Sequence, residues 1–402
     1  MRVHPLKTLL PKPDFVGEVA TLGSGKLPSN VLQAKALKLS NNYIRVVKPQ
    51  FVHHELEQGT EAFYHKSLSF LNLMIEAEIL ESHSESFYFY RQQHHSGIDL
   101  YGWVIGVDIN DYFNGKIKKH ENTIKAKEDR LIRHVRALQS IAEPVLLTQK
   151  LPIELHDISS DLLNTDPYLN VTDEYFNTHQ LWRFNQSSNI IRESFSKIDT
   201  LYIADGHHRI SSVARYIRSE FGNSSNQGIM ALVMDESKVL IKPFYRILRH
   251  VNPEIIFNYL KSQSFIYSEN TEIVDYSQIP LRNVLCITKD RRVLLELKEP
   301  YPGASALKSL DISLFEDEIL KPAMGIYDSS NDDRFSYVRG DDPVKDIQQT
   351  LIEGKGDIAF LFHPNSMSEI RKVADENNIM PPKSTFIEPK LLTGMIIDDY
   401  RH

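Results

Sequence analysis

The chain has 402 residues, of which 41% are hydrophobic and 25% charged, with 17 glycines and 19 prolines. This composition excludes disordered, collagen-like and low-complexity chains, and the length allows two or three domains. The net charge of −7 argues against a general affinity for nucleic acid or anionic membranes, so any site for a polyanion must be local.

The number of cysteines excludes two further kinds of structure. Cys286 is the only cysteine, which excludes a disulfide framework and a thiolate metal cluster within one chain. The N-terminus has no apolar signal segment, and no apolar run approaches the roughly 20 residues that span a bilayer. We therefore expect a soluble, cytoplasmic protein that does not bind membranes.

The periodicity alternates between helix-like and strand-like stretches without a repeat, which predicts a mixed α/β (α+β) fold. Predicted helices cover residues 29–39, 61–80, the second half of 116–136, 209–220, 311–321 and 366–377. Predicted strands cover 43–47, 87–90, 101–107, 145–148, 201–204, 229–234 and 358–362. Residues 152–175 are predicted to be irregular, and three prolines keep 380–390 out of helices and central strands.

The most informative pattern is Asp205-Gly206-His207-His208-Arg209, between a predicted strand and a predicted amphipathic helix. Gly206 permits a tight turn, and the N–H groups that begin the helix favour an anion. The imidazoles and the guanidinium add donors for phosphate oxygens, while Asp205 could hold Mg²⁺ or orient a histidine. The alternative is that Asp205 caps the helix and the histidines are ordinary surface groups.

A second cluster lies in the basic segment from 116 to 136, which has eight Lys or Arg and three acidic residues, a local charge of +5. Lys118, Lys119 and Arg130 could hold phosphate, and Glu121 could accept a proton or bind a metal. The alternative is a solvated helix face with internal ion pairs. A third candidate, the proline-rich loop 383–390, could close over a phosphorylated ligand or simply be a structural C-terminal segment.

Several motifs occur together in a characteristic order. They are Tyr112–Thr123, Lys127–Arg130 with His134, Pro144–Thr148, Ala204–Arg209, Leu310–Ser313, Met380–Thr385 and Glu388–Lys390. With these motifs the chain resembles the prokaryotic domain-of-unknown-function family 1015 over nearly its whole length. The turn at Asp205 resembles the phosphate-contacting turn of the ParB/sulfiredoxin superfamily. That superfamily includes CTP-binding partition proteins, sulfiredoxin, and ADP- or ATP-dependent kinases of free serine.

The resemblance implies a ParB/sulfiredoxin-like core at 96–250, with an N-terminal α/β extension at 1–95 and a C-terminal one at 251–402. It also implies a nucleotide phosphate site at 205–209. Serine kinases of that superfamily use an upstream glutamate as the base, and Glu121 is the candidate here.

The leading hypothesis is a phosphotransferase that acts on a small hydroxylated metabolite, with free serine or phosphoserine as the best guess. Asp205, Glu121 and His208 would be catalytic, with Asp205 also the metal ligand. Gly206, His207, Arg209, Lys118, Lys119 and Arg130 would bind the nucleotide, ADP or ATP, with Mg²⁺.

Two alternatives remain open at the level of sequence. One is a nucleotide-responsive regulatory protein in the manner of ParB, without small-molecule turnover. The other is a phosphoester hydrolase. The net charge and the lack of a clear helix-turn-helix motif argue against DNA binding, and the oligomeric state is left open.

Overall fold

The computed structural model describes residues 1–23, 27–185, 188–223, 227–269, 271–327, 329, 332–339, 344–381 and 383–401. The strands are β1 Val3–His4, β2 Leu6–Pro11, β3 Leu80–Gln93, β4 Asp99–Asp108, β5 Ile117–Lys118, β6 Ser140–Ile141, β7 Val145–Gln149, β8 Leu169–Thr172, β9 Thr178–Phe184, β10 Leu201–Asp205, β11 Gly228–Asp235, β12 Leu240–Lys242, β13 Phe244–Leu248, β14 Tyr267–Glu269, β15 Asn283–Ile287, β16 Arg292–Glu296, β17 Phe335–Arg339, β18 Ile358–Phe362, β19 Phe386–Glu388 and β20 Ile397–Asp399.

The helices are α1 Val16–Val19, α2 Ser29–Lys38, α3 Ile44–Val47, α4 Glu61–Glu76, α5 Ile109–Phe113, α6 Lys125–Leu138, α7 Ile153–Leu163, α8 Ser188–Ser196, α9 His207–Phe221, α10 Pro253–Ser262, α11 Asp311–Phe315, α12 Lys321–Met324, α13 Val344–Ile352 and α14 Met367–Asp375. Helices and strands are therefore interspersed along the chain, and the predicted mixed α+β fold is confirmed. In the described part of the chain, no helix has the length and apolarity needed to cross a bilayer.

The chain forms two compact units. Unit 1 comprises 1–118, 122–239 and 389–402, and unit 2 comprises 119–121 and 240–388. Unit 1 thus contains the predicted N-terminal region, most of the predicted core and the last residues of the chain. The ParB/sulfiredoxin-like identity of that core stays a prediction.

Unit 1 is built on a large mixed sheet in which β5, β10, β7, β11, β4, β3, β2, β20 and β6 follow one another. Strands β5 and β10 are parallel, as are β7 and β11, whereas β10 and β7 are antiparallel. The 14-residue β3 is long enough to pair with β2, β4 and β9. Strand β11 is buried along its whole length, which agrees with its nearly continuous apolar sequence.

Helix α9 packs on this sheet through its apolar stripe, which the sequence predicted. Ile210, Val213, Ala214 and Ile217 are buried in the main core with Leu147 of β7. Helix α6 runs beside α9, and the contact includes an ion pair between Glu128 and Arg215 at 3.0 Å. The site at the start of α9 therefore rests on a packed layer.

Residues Ile44–Val47 form helix α3 with Tyr43 as its N-cap, so the strand predicted at 43–47 is wrong. The side-chain oxygen of Asn42 accepts a hydrogen bond from the N–H of Ile44 at 3.2 Å, which begins a turn. Val46 then packs against Phe70 and Leu71 of α4. Tertiary burial of this one helical turn overrides the strand propensity of its β-branched residues.

The irregular structure predicted for 152–175 is also wrong, since this segment contains α7 and β8. Leu155, Ile158 and Leu162 recur at helical spacing and pack against the main core. Asp, Asn and Pro residues in the segment had suggested loops, but Asp157 and Asp161 lie on the exposed face of α7 and Asn170 lies in β8.

Unit 2 has its own antiparallel sheet in the order β14, β16, β15, β18, β13 and β17, and β12 pairs separately with β19. One face of the sheet packs on α13 through Ile347 and Leu351. Helix α14 begins with a capping box, in which Ser366 and Glu369 satisfy each other's backbone N–H groups. The predicted helix at 311–321 is interrupted, because α11 passes through a π-helical turn, Glu316–Leu320, into α12.

Candidate functional site

The predicted strand-to-helix turn is the centre of the site. Strand β10 ends at Asp205, and Gly206 follows in the left-handed region with φ 95°. Helix α9 then begins at His207, and no side chain caps its N-terminus. Because the first N–H groups of a helix have no partner within it, and its dipole is positive at this end, the turn offers donors to an anion.

Asp205 binds two cations, one through each carboxylate oxygen. Its Oδ2 lies 2.8 Å from Nη2 of Arg209, and its Oδ1 lies 2.8 Å from Nζ of Lys390. Burial alone would raise the pKa of the Asp205 carboxyl, but Lys390 and Arg209 outweigh it and hold that pKa at about 2. Asp205 is therefore ionised at neutral pH and organises the cations around it.

Arg209 is held on several sides. Its Nη1 donates to the carbonyl of Pro144 at 2.5 Å and lies 3.3 Å from Oε2 of Glu143. Glu143 in turn accepts a hydrogen bond from Oγ1 of Thr393 at 2.7 Å. The guanidinium thus faces two carboxylates and a carbonyl, a position in which it stiffens the turn. Its predicted role as a phosphate ligand has no direct support from this geometry.

Gly206 is required by the same contact. A Cβ at this position would lie 3.2 Å from Cζ of Arg209, closer than most neighbouring atoms allow, and the positive φ would strain any other residue. The turn therefore combines a backbone conformation and a close approach that both favour glycine.

The two histidines differ in environment. His207 is buried, with 5% of its surface exposed. His208 is half-buried, and its Nδ1 accepts a hydrogen bond from the N–H of Ile124 at 3.4 Å. Burial and the nearby Lys127 lower the pKa of His208. A neutral imidazole whose Nδ1 accepts carries its proton on Nε2, so His208 has a ring N–H available as a donor.

The other predicted residues are divided between the two units. Lys118 lies at the end of β5, opposite Tyr202 of β10. Arg130 lies on α6 and lines a cavity of about 290 Å³ whose wall also includes Arg209. Lys119 and Glu121 belong to unit 2, and their roles in nucleotide binding and proton transfer stay predictions.

Mg²⁺ was expected on Asp205, but the geometry does not fit a resident ion there. Both carboxylate oxygens are already occupied by Lys390 and Arg209. Among the described residues, no three His, Cys, Asp or Glu side chains lie close enough to share a metal. Asp205 therefore holds these two cations and is not a ligand for a resident metal ion.

Sequence reasoning missed part of this network. Lys390 had been considered only within the proline-rich loop, and its partner Asp205 is distant in sequence. Glu143 carried no signal of its own beyond its position before the motif Pro144–Thr148. Lys48, which lines the same cavity as Arg130 and His134, could not be recognised before the helices were packed.

Three solved structures illustrate the likeness to known proteins, and each covers 72% of this chain. A free serine kinase in complex with AMP is 12% identical over 90% of its own chain, with a TM-score of 0.37. A conserved hypothetical protein from Pyrococcus furiosus is 14% identical over 94% of its chain, with a TM-score of 0.35. C-terminally truncated SbnI from Staphylococcus aureus is 12% identical over 85% of its chain, with a TM-score of 0.39.

A comparison with curated proteins finds no match. The family model for proteins of unknown function named DUF1015 matches residues 3–313. This match covers most of the chain and includes both the turn at Asp205 and the basic segment before it, as the motifs predicted. The chain therefore belongs to the DUF1015 family.

Proposed function

We propose that the protein is a nucleotide-dependent phosphotransferase that acts on the hydroxyl group of a small metabolite. Free serine and phosphoserine are the first substrates to test. The observation that carries the proposal is the uncapped N-terminus of α9, which follows β10 directly and is stiffened by Asp205 and Arg209. A phosphate would be held there by backbone N–H groups rather than by a flexible loop.

Several donors support binding of a phosphate at this turn. Besides the first N–H groups of α9, the Nε2–H of His208 is a donor at the turn. The tautomer of His208 follows from the hydrogen bond that Ile124 donates to Nδ1. Lys390 is a second cation at the same carboxylate. Fixed donors of this kind stabilise charge on a transferring phosphoryl group.

Phosphoryl transfer to a hydroxyl group also requires a base. The substrate oxygen would bond to the terminal phosphorus of the nucleotide, the bond from that phosphorus to the bridging oxygen would break, and the hydroxyl proton would pass to a base. In unit 1, the carboxylates of Asp205 and Glu143 are engaged by cations. The candidate base stays Glu121, as the resemblance to serine kinases implies, and Mg²⁺ would arrive as the complex with the nucleotide.

The test uses the full chain with Mg²⁺ and ADP or ATP, and follows serine and phosphoserine by mass spectrometry. We expect turnover, and we expect Asp205→Asn and His208→Gln each to lower kcat/KM by about 100-fold, the effect of losing one preorganised donor or its support. Matched controls are Asp161→Asn and His65→Gln, which change exposed residues on α7 and α4.

Absence of turnover, or undiminished turnover in both site variants, would contradict the proposal. Release of phosphate without an acceptor would favour a phosphoester hydrolase instead. Nucleotide binding without any turnover would favour the regulatory alternative.

A further inference from the structure

The cavity beside the turn lies wholly within unit 1 and has a volume of about 290 Å³. Its apolar wall comes from α3, α4 and α6, through Val47, Phe63, Leu131 and Val135. This volume is close to the lower end of the range for small-molecule sites, which are mainly apolar with a few placed polar groups. The polar groups of the wall therefore indicate what the cavity would select.

Two of these groups are cations to which the described part of the chain supplies no counterion. Lys48 follows α3 and is half-buried, and Arg130 lies close enough to help lower the pKa of Lys48, although burial is the larger cause. Throughout the described residues, no carboxylate pairs with Lys48 or Arg130. The carboxylate in the wall, Glu143, is engaged by Arg209 and Thr393. Because a partly buried cation beside another cation is costly unless an anion offsets it, the cavity favours a negatively charged ligand.

A third polar group is His134 of α6. It donates a hydrogen bond to the backbone carbonyl of Val46, while its Nε2 is shielded from solvent and has no partner within the described structure. Burial lowers the pKa of His134 to about 4, so the ring is neutral. With Nδ1 as the donor, Nε2 is an acceptor that a ligand N–H or O–H could satisfy.

We propose that this cavity binds a small organic anion, with its charged group at Lys48 and Arg130, its apolar body against Phe63 and Val135, and a donor group on Nε2 of His134. A nucleoside monophosphate and a simple aryl phosphate share this chemistry in part. The inference goes beyond the proposed phosphotransfer, because it concerns a binding site and needs no reaction at Asp205.

The test is calorimetry on the full chain with four probes: AMP, phenyl phosphate, adenosine and inorganic phosphate. We expect AMP to bind, and adenosine and inorganic phosphate each to bind at least about tenfold more weakly, because each lacks either the charge or the apolar body. Phenyl phosphate distinguishes the two ligand classes. If it matches AMP, the site accepts aryl phosphates generally, and if it is weaker, the site selects a body that also donates to His134.

Two variants localise the binding. Lys48→Gln should weaken AMP by about tenfold or more, the loss of one charge-assisted hydrogen bond, and leave adenosine unchanged. His134→Leu should weaken AMP but not phenyl phosphate, which has no donor for Nε2. Lys38→Gln, on the exposed end of α2, is the matched control, and thermal unfolding of each variant shows whether the fold is retained.

The inference is overturned if no phosphate-bearing probe binds at millimolar concentration, or if Lys48→Gln binds AMP as the unaltered chain does. The test of the cavity site and the test of the proposed function can be told apart. Probe binding without phosphoryl transfer would leave the cavity site standing. Transfer with an AMP affinity that is insensitive to Lys48 would remove the cavity site alone.

Discussion

At the residue scale, Asp205 joins two cations that are distant from each other in the sequence. Its two oxygens hold Arg209 and Lys390, each at 2.8 Å. Arg209 then binds the carbonyl of Pro144, so the end of β10 and the start of α9 are joined to the loop before β7. A rigid turn keeps the N–H groups of the helix aimed at one point, which is what recognition of a phosphate requires.

Gly206 gives the sharpest test at this scale. Gly206→Ala should lower the free energy of unfolding by about 1–3 kcal/mol and weaken nucleotide binding, because the new Cβ meets the Arg209 guanidinium in a backbone conformation unfavourable to alanine. Chemical denaturation and calorimetry measure the two effects.

The matched control for this substitution is Gly115→Ala. Gly115 also has a positive φ, but nothing lies within 4 Å of the position its Cβ would take. It should lose stability from backbone strain only and keep nucleotide binding. Equal effects of the two substitutions on binding would show that the contact between Gly206 and Arg209 is irrelevant to the site.

At the scale of elements, the C-terminal strand β20 belongs to the sheet that supports the turn at Asp205. It pairs with β2 on one side and β6 on the other, inside the sheet of unit 1. The same C-terminal segment supplies Lys390 to Asp205 and Thr393 to Glu143. Loss of packing in β20 should therefore be transmitted to the turn through these two contacts.

Ile397 tests this connection. Its side chain is fully buried, so Ile397→Ala should lower the free energy of unfolding by about 2–5 kcal/mol and reduce nucleotide affinity. Ile153→Ala, on α7, is the control, because Ile153 is 66% exposed and should change stability little. Urea denaturation measures stability, and calorimetry measures nucleotide affinity. An unchanged nucleotide affinity in a destabilised Ile397→Ala protein would contradict the connection.

At the scale of the whole molecule, the average charge of −7 conceals an uneven distribution. The segment from 116 to 136 carries a local charge of +5, but part of it is offset within the fold. Lys116 pairs with Asp111 and Arg136 with Glu220, and both of these acids lie outside the segment. We therefore expect a local attraction for a small anion rather than a surface for a polyanion.

This distribution predicts that the protein does not bind duplex DNA at physiological salt. In a mobility-shift titration between roughly 50 and 200 mM salt, we expect no saturable shift, because too few cations are available for phosphate neutralisation. A shift at low salt whose affinity falls steeply as salt rises would contradict this prediction and favour the ParB-like alternative.

Much of the architecture could be predicted from local pattern. The strand before Asp205 and the helix after it were placed correctly, because an apolar run, a glycine and an amphipathic stripe specify that turn locally. The prediction failed at 43–47, where burial of Val46 against α4 decided between helix and strand. It failed again at 152–175. There the prediction gave more weight to nearby Asp, Asn and Pro residues than to the helical spacing of Leu155, Ile158 and Leu162, which pack against the main core.

The sequence by itself determined the mixed α+β fold, the family and the position of the anion-favouring turn, because these depend on residue order over short distances. Only the tertiary structure decided that Lys390 and Arg209 share Asp205, and that Lys48, Arg130 and His134 line one cavity. The physical reason is that pairing and desolvation depend on neighbours in space. A charge is offset, or left in need of a ligand, by residues that packing brings together from distant parts of the chain.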